Sequence, residues 1–389
     1  MPELSYVMVT PYTVAKSRTG GVLARLLSQV DLELVGAQMF APDEAFAKEY
    51  AALLRAQNIS LDSLTLLADY TEARLVPSGG RKHRTLLLLF KGENPCEKLA
   101  KICGHIFPEH IGDESFTGET IRDTYADLII DPDTAHVNYF EPAVMTPHEQ
   151  KWADKDLALF SSYLDGKENI VNNVECDELS KTERTLVIIK PDNWQYASSR
   201  PGSIIDMFSR TGLRIVGIKV HRFSLEQALD FYGPVEAALK SKLAPILGKK
   251  AKETLEKEFS LALSERTEKA LVETFGVEYA YDQFAQIVGF MSGLKPGAPA
   301  GDPADTRKPV KCMILIYEGV DAVKKIRAVL GPTDPLKAPG GTVRREFGSN
   351  VMVNTAHASD SPESVARESM IVKVNENTLK SIIDEYFGR

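Results

Sequence analysis

The stretch Asn354–Glu368 reads NTAHASDSPESVARE. It sets His357 among amide, hydroxyl and acidic side chains, with Ser359 beside it and Glu368 further along. Upstream in the same half stand Lys190, at the end of an apolar run, the arginines Arg327 and Arg344, and Thr333 in a Gly/Pro loop. A neutral imidazole can act as base or nucleophile near pH 7. Cations without a nearby acidic excess suit phosphate oxygens, because arginine offers a planar fork and lysine a point charge. Phosphoryl chemistry is what these types allow together, although a single Lys or Arg is more often a solvated surface charge. Ser361, followed by Pro362 and Glu363, reads as a helix N-cap with proline in the first turn. His357 then lies just ahead of a helix N-terminus, whose positive partial charge favours bound phosphate.

An internal repeat supplies the elements that must position these groups. One copy opens YVMVTPYTVAKSRTGGVLARLLSQVDLELVGAQMF, Tyr6–Phe40, and the other TLVIIKPDNWQYASSRPGSIIDMFSRTGLRIVGIKV, Thr185–Val220. Each has an apolar run ending in x-Pro, a polar turn with glycine, a helical stretch and a strand containing Val-Gly. The helix Ser203–Thr211 places Ile204, Ile205 and Phe208 on one face and stops at Gly212, a left-handed cap. LLLLFKGENPCEKLAKICG, Leu86–Gly104, parallels MILIYEGVDAVKKIRAVLG, Met313–Gly331. GETIRDTYAD, Gly118–Asp127, parallels GGTVRREFGS, Gly340–Ser349. Each leads to a Thr-Ala-His, upstream in DTAHVNYF, Asp133–Phe140. The repeat predicts domains at 1–147 and 182–389, joined by a linker over 148–181 that includes one short helix, DLALFSSYLDG, and the charged ECDELSKTE. Insertions are expected near 235–280, with helices over Lys249–Phe275, and near 294–310, a Pro/Gly/Asp loop.

Composition narrows the setting. A chain of 389 residues is long for one domain, and 43% apolar with 26% charged residues is ordinary for a soluble globular protein. A formal charge of −8 argues against nucleic acid as the main partner. Cys96, Cys103, Cys176 and Cys312 have no metal-ligand spacing, which suggests a reduced, cytoplasmic setting. MPELSYVMVTPY lacks signal-peptide character, and apolar runs such as Leu86–Phe90 are too short to span a membrane.

Taken together, ERTLVIIKPD (Glu183–Asp192), EGVDAVKKIRAVLGPTDP (Glu318–Pro335), PGGTVRREF (Pro339–Phe347) and NTAHASDSPESVARE resemble the nucleoside diphosphate kinase family. The resemblance covers nearly all of the second half apart from its insertions, and is fainter in the first. It implies an α/β sandwich fold: two tandem ferredoxin-like βαββαβ domains, each with an antiparallel four-stranded sheet. It implies a ping-pong transfer, in which a nucleoside triphosphate gives its γ-phosphoryl group to His357 and a nucleoside diphosphate then takes it. By the same resemblance Glu368 and Ser359 hold the imidazole. Lys190, Arg327, Arg344, Thr333 and Asn354 grip phosphates and sugar, Tyr232 stands beside the phosphoryl group, and Ile287 and Val351 join the nucleotide-binding set. Mg²⁺ is expected on the nucleotide phosphates, with Asp360 at most an outer contact and no protein metal cage. Family members assemble as hexamers or tetramers, which leaves a homo-oligomer open.

Two departures stand out. Ala358 replaces the family's glycine after the histidine, and would strain the histidine if that position needs φ > 0. Gln283, with Phe284 next to it, stands where the family stacks the base on phenylalanine. The first copy departs further: Thr10 is read opposite Lys190 and Lys101 opposite Arg327, while His136 persists with Tyr139 and Phe140 crowding it. It is expected to be a structural pseudo-domain, the alternative being a regulatory nucleotide site. For the whole chain, a non-catalytic nucleotide-binding scaffold and a protein-histidine phosphotransfer role stand as rivals to the kinase.

Overall fold

The computed structural model describes residues 2–57, 61–106, 118–134, 136–172, 181–297 and 310–389. The chain divides into two compact units, Met1–Val220 with Cys312–Ser369 and Lys373–Arg389, and His221–Lys311 with Met370–Val372. The first copy runs β1 (Glu3–Val9), α1 (Pro11–Ala15), α2 (Thr19–Gln29), β2 (Glu33–Phe40), α3 (Glu44–Arg55), α4 (Leu61–Tyr70), β3 (Thr85–Gly92), α5 (Pro95–Cys103) and α6 (Ile121–Tyr125). A ribbon of β4 (Asp127–Ile130) and β5 (Val137–Glu141), the short β6 (Val144–Met145) and α7 (Gln150–Tyr163) complete it. The second copy starts with β7 (Thr182–Ile189), α8 (Arg200–Ser209) and β8 (Arg214–His221). Three helices intervene, α9 (Leu225–Phe259), α10 (Glu265–Leu271) and α11 (Val277–Ser292). The copy resumes with β9 (Cys312–Val320), α12 (Ala322–Leu330), α13 (Val343–Phe347), β10 (Ala356–Ala358), α14 (Pro362–Ile371) and α15 (Thr378–Phe387).

The two sheets have the orders β2-β3-β1-β6 and β10-β7-β9-β8. The pairs β1–β3, β1–β6, β2–β3, β7–β9 and β7–β10 are antiparallel. In each sheet the copy's first and third strands are central, the arrangement of a ferredoxin-like unit. Leu86–Phe90 and Leu186–Ile189 are buried along their whole length, which is why these strands read as continuous apolar runs rather than alternating ones. The expected α/β sandwich of two ferredoxin-like sheets is the fold observed.

Within the first unit the copies meet through α2 and α8. A Cβ on Gly20 would lie 2.4 Å from Asp206 N, and one on Gly202 would lie 2.1 Å from Ala24 N. Only bare backbone fits so close a crossing. The contact is reciprocal, as in an isologous dimer interface.

The segment expected as a linker is structural where it is described. Leu157, Phe160 and Leu164, on and just beyond α7, join the core of the first sheet with Tyr6, Phe40 and Tyr50. Leu379 and Ile383 of α15 belong to the same core, so the chain's last helix returns to the first sheet. The core of the first sheet therefore reaches past the boundaries 1–147 and 182–389, because burying this sheet face takes apolar side chains from both ends of the sequence. Residues 173–180, which hold most of ECDELSKTE, and 298–309, most of the Pro/Gly loop, lie outside the described residues.

The second unit is helical. Ser224 and Gln227 form a capping box that starts α9, and that helix begins well before the expected Lys249–Phe275. It continues through Pro234 and Pro245 and ends at Ser260 with left-handed backbone, φ 51°.

One buried polar group costs the first sheet stability. Asp156 on α7 accepts from Tyr6 Oη at 2.8 Å, and Tyr6 and Tyr50 hydroxyls are also 2.8 Å apart. Asp156 Oδ1 is buried with no hydrogen-bond partner among the described residues. Burial pushes this carboxyl from 3.8 up to about 7, against the pull of the Tyr6 bond. A carboxyl raised in the folded state favours its neutral form there, so it withdraws stability as pH climbs from about 4 through 7. Asp156→Asn keeps an acceptor for Tyr6 and removes the charge. Thermal melts should therefore show a higher Tm for Asp156→Asn at about pH 8, equivalent to roughly 1–3 kcal/mol, and a much smaller change at about pH 4.5.

Candidate functional site

Lys190 closes β7 and begins the turn at Pro191–Asn193. Its backbone N–H donates to Thr355 O at 2.9 Å, and its Nζ donates to Asn354 Oδ1 at 2.7 Å. Asn354 Nδ2 in turn donates to Val351 O at 2.7 Å and to Thr333 O at 3.4 Å. One buried amide thus ties Lys190 to two loops. Burial first, then the charge of Arg344, hold the Lys190 ammonium down to about 8 from the usual 10.5. Arg344 Nη1 donates to Gly331 O and Nη2 to Ala356 O, each at 3.0 Å. Those bonds lock the C-terminal end of α12 to β10.

His357 sits in β10, paired opposite Ile188 of β7 at the sheet edge. Its Nε2 lies 2.9 Å from Glu368 Oε2, and Ser359 Oγ donates to the same oxygen at 2.6 Å. Glu368 rides on α14, whose start is capped as expected: Ser361 Oγ accepts from Ser364 N at 3.2 Å. The carboxylate is 4% exposed, whereas the imidazole remains 23% exposed. When Nε2–H donates to this carboxylate, the neutral ring carries its lone pair on Nδ1. Asp360 is nearby in sequence but bonded to Ser364 at 2.6 Å. That bond, then the charge of Arg327, holds its carboxyl below the usual range.

Lys190, Asn354, Val351 and Thr333 form one hydrogen-bonded group and His357, Ser359 and Glu368 a second, while Arg344 bonds to Ala356 beside His357. Arg327 and Thr333 are exposed at the surface of the same unit. Tyr232 and Ile287 belong to the helical unit. There Tyr232 is buried on α9, its ring 5.0 Å from that of Phe231. Ile287, half-buried, lies on α11, along with half-buried Gln283 and buried Phe284.

Ala358 is a paired strand residue and is not among those with positive φ. The strain expected of an alanine after the histidine is therefore absent. The left-handed position is Thr355, φ 73°, buried and β-branched, an uncommon conformation for such a residue. The sequence reading also passed over Arg200. Its Nη2 donates to Phe347 O and, at 3.0 Å, to Thr355 Oγ1, and it pairs with Asp192 at 3.4 Å. The signal was present in the repeat, as Ser17-Arg18-Thr19-Gly20 beside Ser199-Arg200-Pro201-Gly202. Arg18 donates to Tyr125 O at 2.9 Å, just as Arg200 does to Phe347 O.

Hydrogen bonds correct the reading of the first copy. Thr10 N donates to Ala143 O at 3.1 Å, as Lys190 N does to Thr355 O. Ala143 has φ 60°, matching Thr355. Arg122 donates to Gly104 O and, at 3.0 Å, to Val144 O, as Arg344 does to Gly331 O and Ala356 O. Val144 therefore answers Ala356, and Met145 stands where the second copy has His357. Pro147 stands in place of Ser359, and Asp156 falls as far beyond Met145 as Glu368 does beyond His357. His136 lies instead in the turn of the β4–β5 ribbon, where its carbonyl accepts from Asp131 N at 2.8 Å. His136 thus falls between β4 and β5 and outside the four-stranded sheet. The match of Lys101 to Arg327 is one residue off. Asn94 and Asp321 both start their helices with left-handed φ and Gly104 and Gly331 both end them with φ 84°, so Ala100 is opposite Arg327.

Comparison with known proteins follows the same division of the chain. The family profile described as Nucleoside diphosphate kinase matches residues 183–241 and 305–377. The nucleoside diphosphate kinase of Halorhodospira halophila is 31% identical over 186 residues, 48% of this chain and 89% of that protein. That of Acidiphilium cryptum is 32% identical over 187 residues, 48% of this chain and 90% of its own. An NDP kinase structure from Pyrobaculum aerophilum is 28% identical, with a TM-score of 0.35, over 50% of this chain and 100% of that one. At 31% and 32% identity over nearly the whole length of two such kinases, the chain belongs to the nucleoside diphosphate kinase family.

Proposed function

We propose that the second copy is a working nucleoside diphosphate kinase and that His357 is its phosphoryl carrier. The observation that carries this reading is the relay Ser359–Glu368–His357 beside a buried lysine. The Nδ1 lone pair attacks the γ-phosphorus of a nucleoside triphosphate; an N–P bond forms, the bond to the β-phosphate oxygen breaks, and the diphosphate leaves. A terminal oxygen of a second diphosphate then attacks the same phosphorus and the N–P bond breaks. Throughout, Nε2–H stays on Glu368, whose charge stabilises the phosphorylated ring. Lys190 supplies a positive charge that water cannot screen, and Arg327 offers a second cation at the rim. Mg²⁺ enters on the nucleotide phosphates as part of the substrate. Among the described residues, no three His, Cys, Asp or Glu side chains group to hold a metal. No helix among them is long and apolar enough to cross a membrane.

Incubation with γ-labelled ATP and Mg²⁺, followed by a GDP chase, tests the proposal. Acid-labile, alkali-stable label is expected on the wild type, absent from His357→Ala, and discharged rapidly by GDP. Label that GDP cannot remove would favour phosphotransfer to another protein. No label with nucleotide still bound would favour the non-catalytic scaffold. Glu368→Gln should retain nucleotide binding but slow transfer by about 10²–10³-fold in a coupled single-turnover assay, because the relay loses its anion.

The depressed Lys190 ammonium predicts a pH signature. In the free protein the charge is lost as pH rises through about 8. A bound phosphate favours the charged form, so binding above that pH must take up a proton. ADP affinity should therefore be flat near pH 7 and fall as pH approaches about 9.5. Calorimetry in two buffers of different ionisation heat would show the proton uptake, and an affinity unchanged across this range would contradict the role given to Lys190.

A further inference from the structure

A pocket of about 430 Å³ opens in the first unit, away from His357, where the two copies meet. The first copy lines it with Arg81, Lys82, His83 and Arg84, consecutive in sequence, and the second adds Arg214. Among the described lining residues none is acidic. Arg84 reaches across the junction and donates from Nη1 to Ile215 O at 2.6 Å, its one hydrogen bond among the described residues. Glu318 is the carboxylate that acts on Arg84, but Arg184 Nε already holds it at 2.7 Å. His83 is fixed between Ser78 Oγ, 2.8 Å from Nε2, and Arg74 O, 2.9 Å from Nδ1. The wall behind the cations is apolar, with Val14, Ile205, Leu213 and Ile215 all buried. Tyr317, also on that wall, is 1% exposed, and its hydroxyl has no hydrogen-bond partner among the described residues.

Two physical costs converge here. Burial and then the neighbouring charge of Arg214 hold Arg84 down to about 10, a repulsion that an anion would relieve. A buried hydroxyl without a partner carries a desolvation penalty that an acceptor would remove. The volume sets the size of the occupant. At ~30 Å³ per water it holds on the order of a dozen waters, within the roughly 300–1,000 Å³ usual for small-molecule sites. A single phosphate would leave most of it wet. A chain of phosphates can span the cations of both copies.

We propose that this pocket is a second anion site, separate from the His357 site, that takes a polyphosphate chain, either as part of a nucleotide or alone. Such a ligand would link the two copies by pairing Arg84 and Lys82 of one with Arg214 of the other. Its oxygens would accept from Tyr317, and a base, if present, would lie on the apolar wall.

The test is calorimetric titration of the full-length protein, without Mg²⁺, with ADP and separately with sodium tripolyphosphate. The variants are the charge reversals Lys82→Glu and Arg214→Glu combined, and Tyr317→Phe, which keeps the ring in the wall. Two ADP sites are expected in the wild type and one in the charge-reversed protein. Tripolyphosphate should bind at least about tenfold more weakly to that variant and measurably more weakly to Tyr317→Phe. Tripolyphosphate binding that depends on these residues would show that phosphates suffice, and the same dependence for ADP alone would show that the nucleoside is required. Two sites that ignore both variants, or a single site unaffected by them, would overturn the proposal. It does not rest on catalysis: loss of GDP-chased label with charge-dependent binding intact would sink the kinase reading and leave this one standing.

Discussion

A guanidinium that spends two donors on main-chain carbonyls is the constraint on which the second copy depends. Arg344 joins Gly331, at the end of α12, to Ala356, at the start of β10. An edge strand has one neighbour to pair with and is the weakest part of a sheet. Here it is three residues long and carries the histidine. Arg344 gives that strand a second anchor, and Lys190 N–H, bonded to Thr355 O, gives it a third. The price is Thr355 at positive φ, a strained backbone set directly before the strand that carries His357. Burial first and then the charge of Arg344 depress Lys190, so the structural clamp also contributes to the electrostatics of the site.

The first copy repeats that frame with different side chains. Arg122, Ala143 and the bond from Thr10 reproduce the clamp, the left-handed turn and the splice to the central strand. Met145 stands in place of the imidazole and Thr10 in place of Lys190, so the frame there carries neither group. Asp156 keeps a carboxylate near the place of Glu368, but Tyr6 is its donor and burial favours its neutral form. The frame is thus a device for holding an edge strand, independent of the imidazole and the lysine. The first copy also donates Arg84 across the junction and extends its core to α15.

Much of this was legible in the chain itself. Apolar runs of strand length, helices bounded by Ser361 and Gly212, and the repeated order of blocks led to two copies of one unit, because these signals are local and recur; the ferredoxin-like strand order came from the family resemblance. The set Lys190, Asn354, His357, Ser359 and Glu368 was legible because its spacing is carried by one strand end and one strand–helix segment. Residue types and their order therefore determined the repeat, the family resemblance that carried the fold class, and the candidate stretch around His357.

Only the tertiary structure decided where His136 stands. His136 and His357 share a tripeptide, but sheet register is a contact between distant segments, and it assigned Met145, not His136, to the histidine's position. Backbone angle decided that Ala358 is unstrained and Thr355 is not, since φ depends on what the strand pairs with. Packing decided that α7 and α15 belong to the first sheet, because the apolar face they cover is built from residues far away in sequence. The cationic pocket, too, exists through folding alone: Arg84 and Arg214 are distant along the chain, and the α2–α8 junction between two bare glycines brings their copies together.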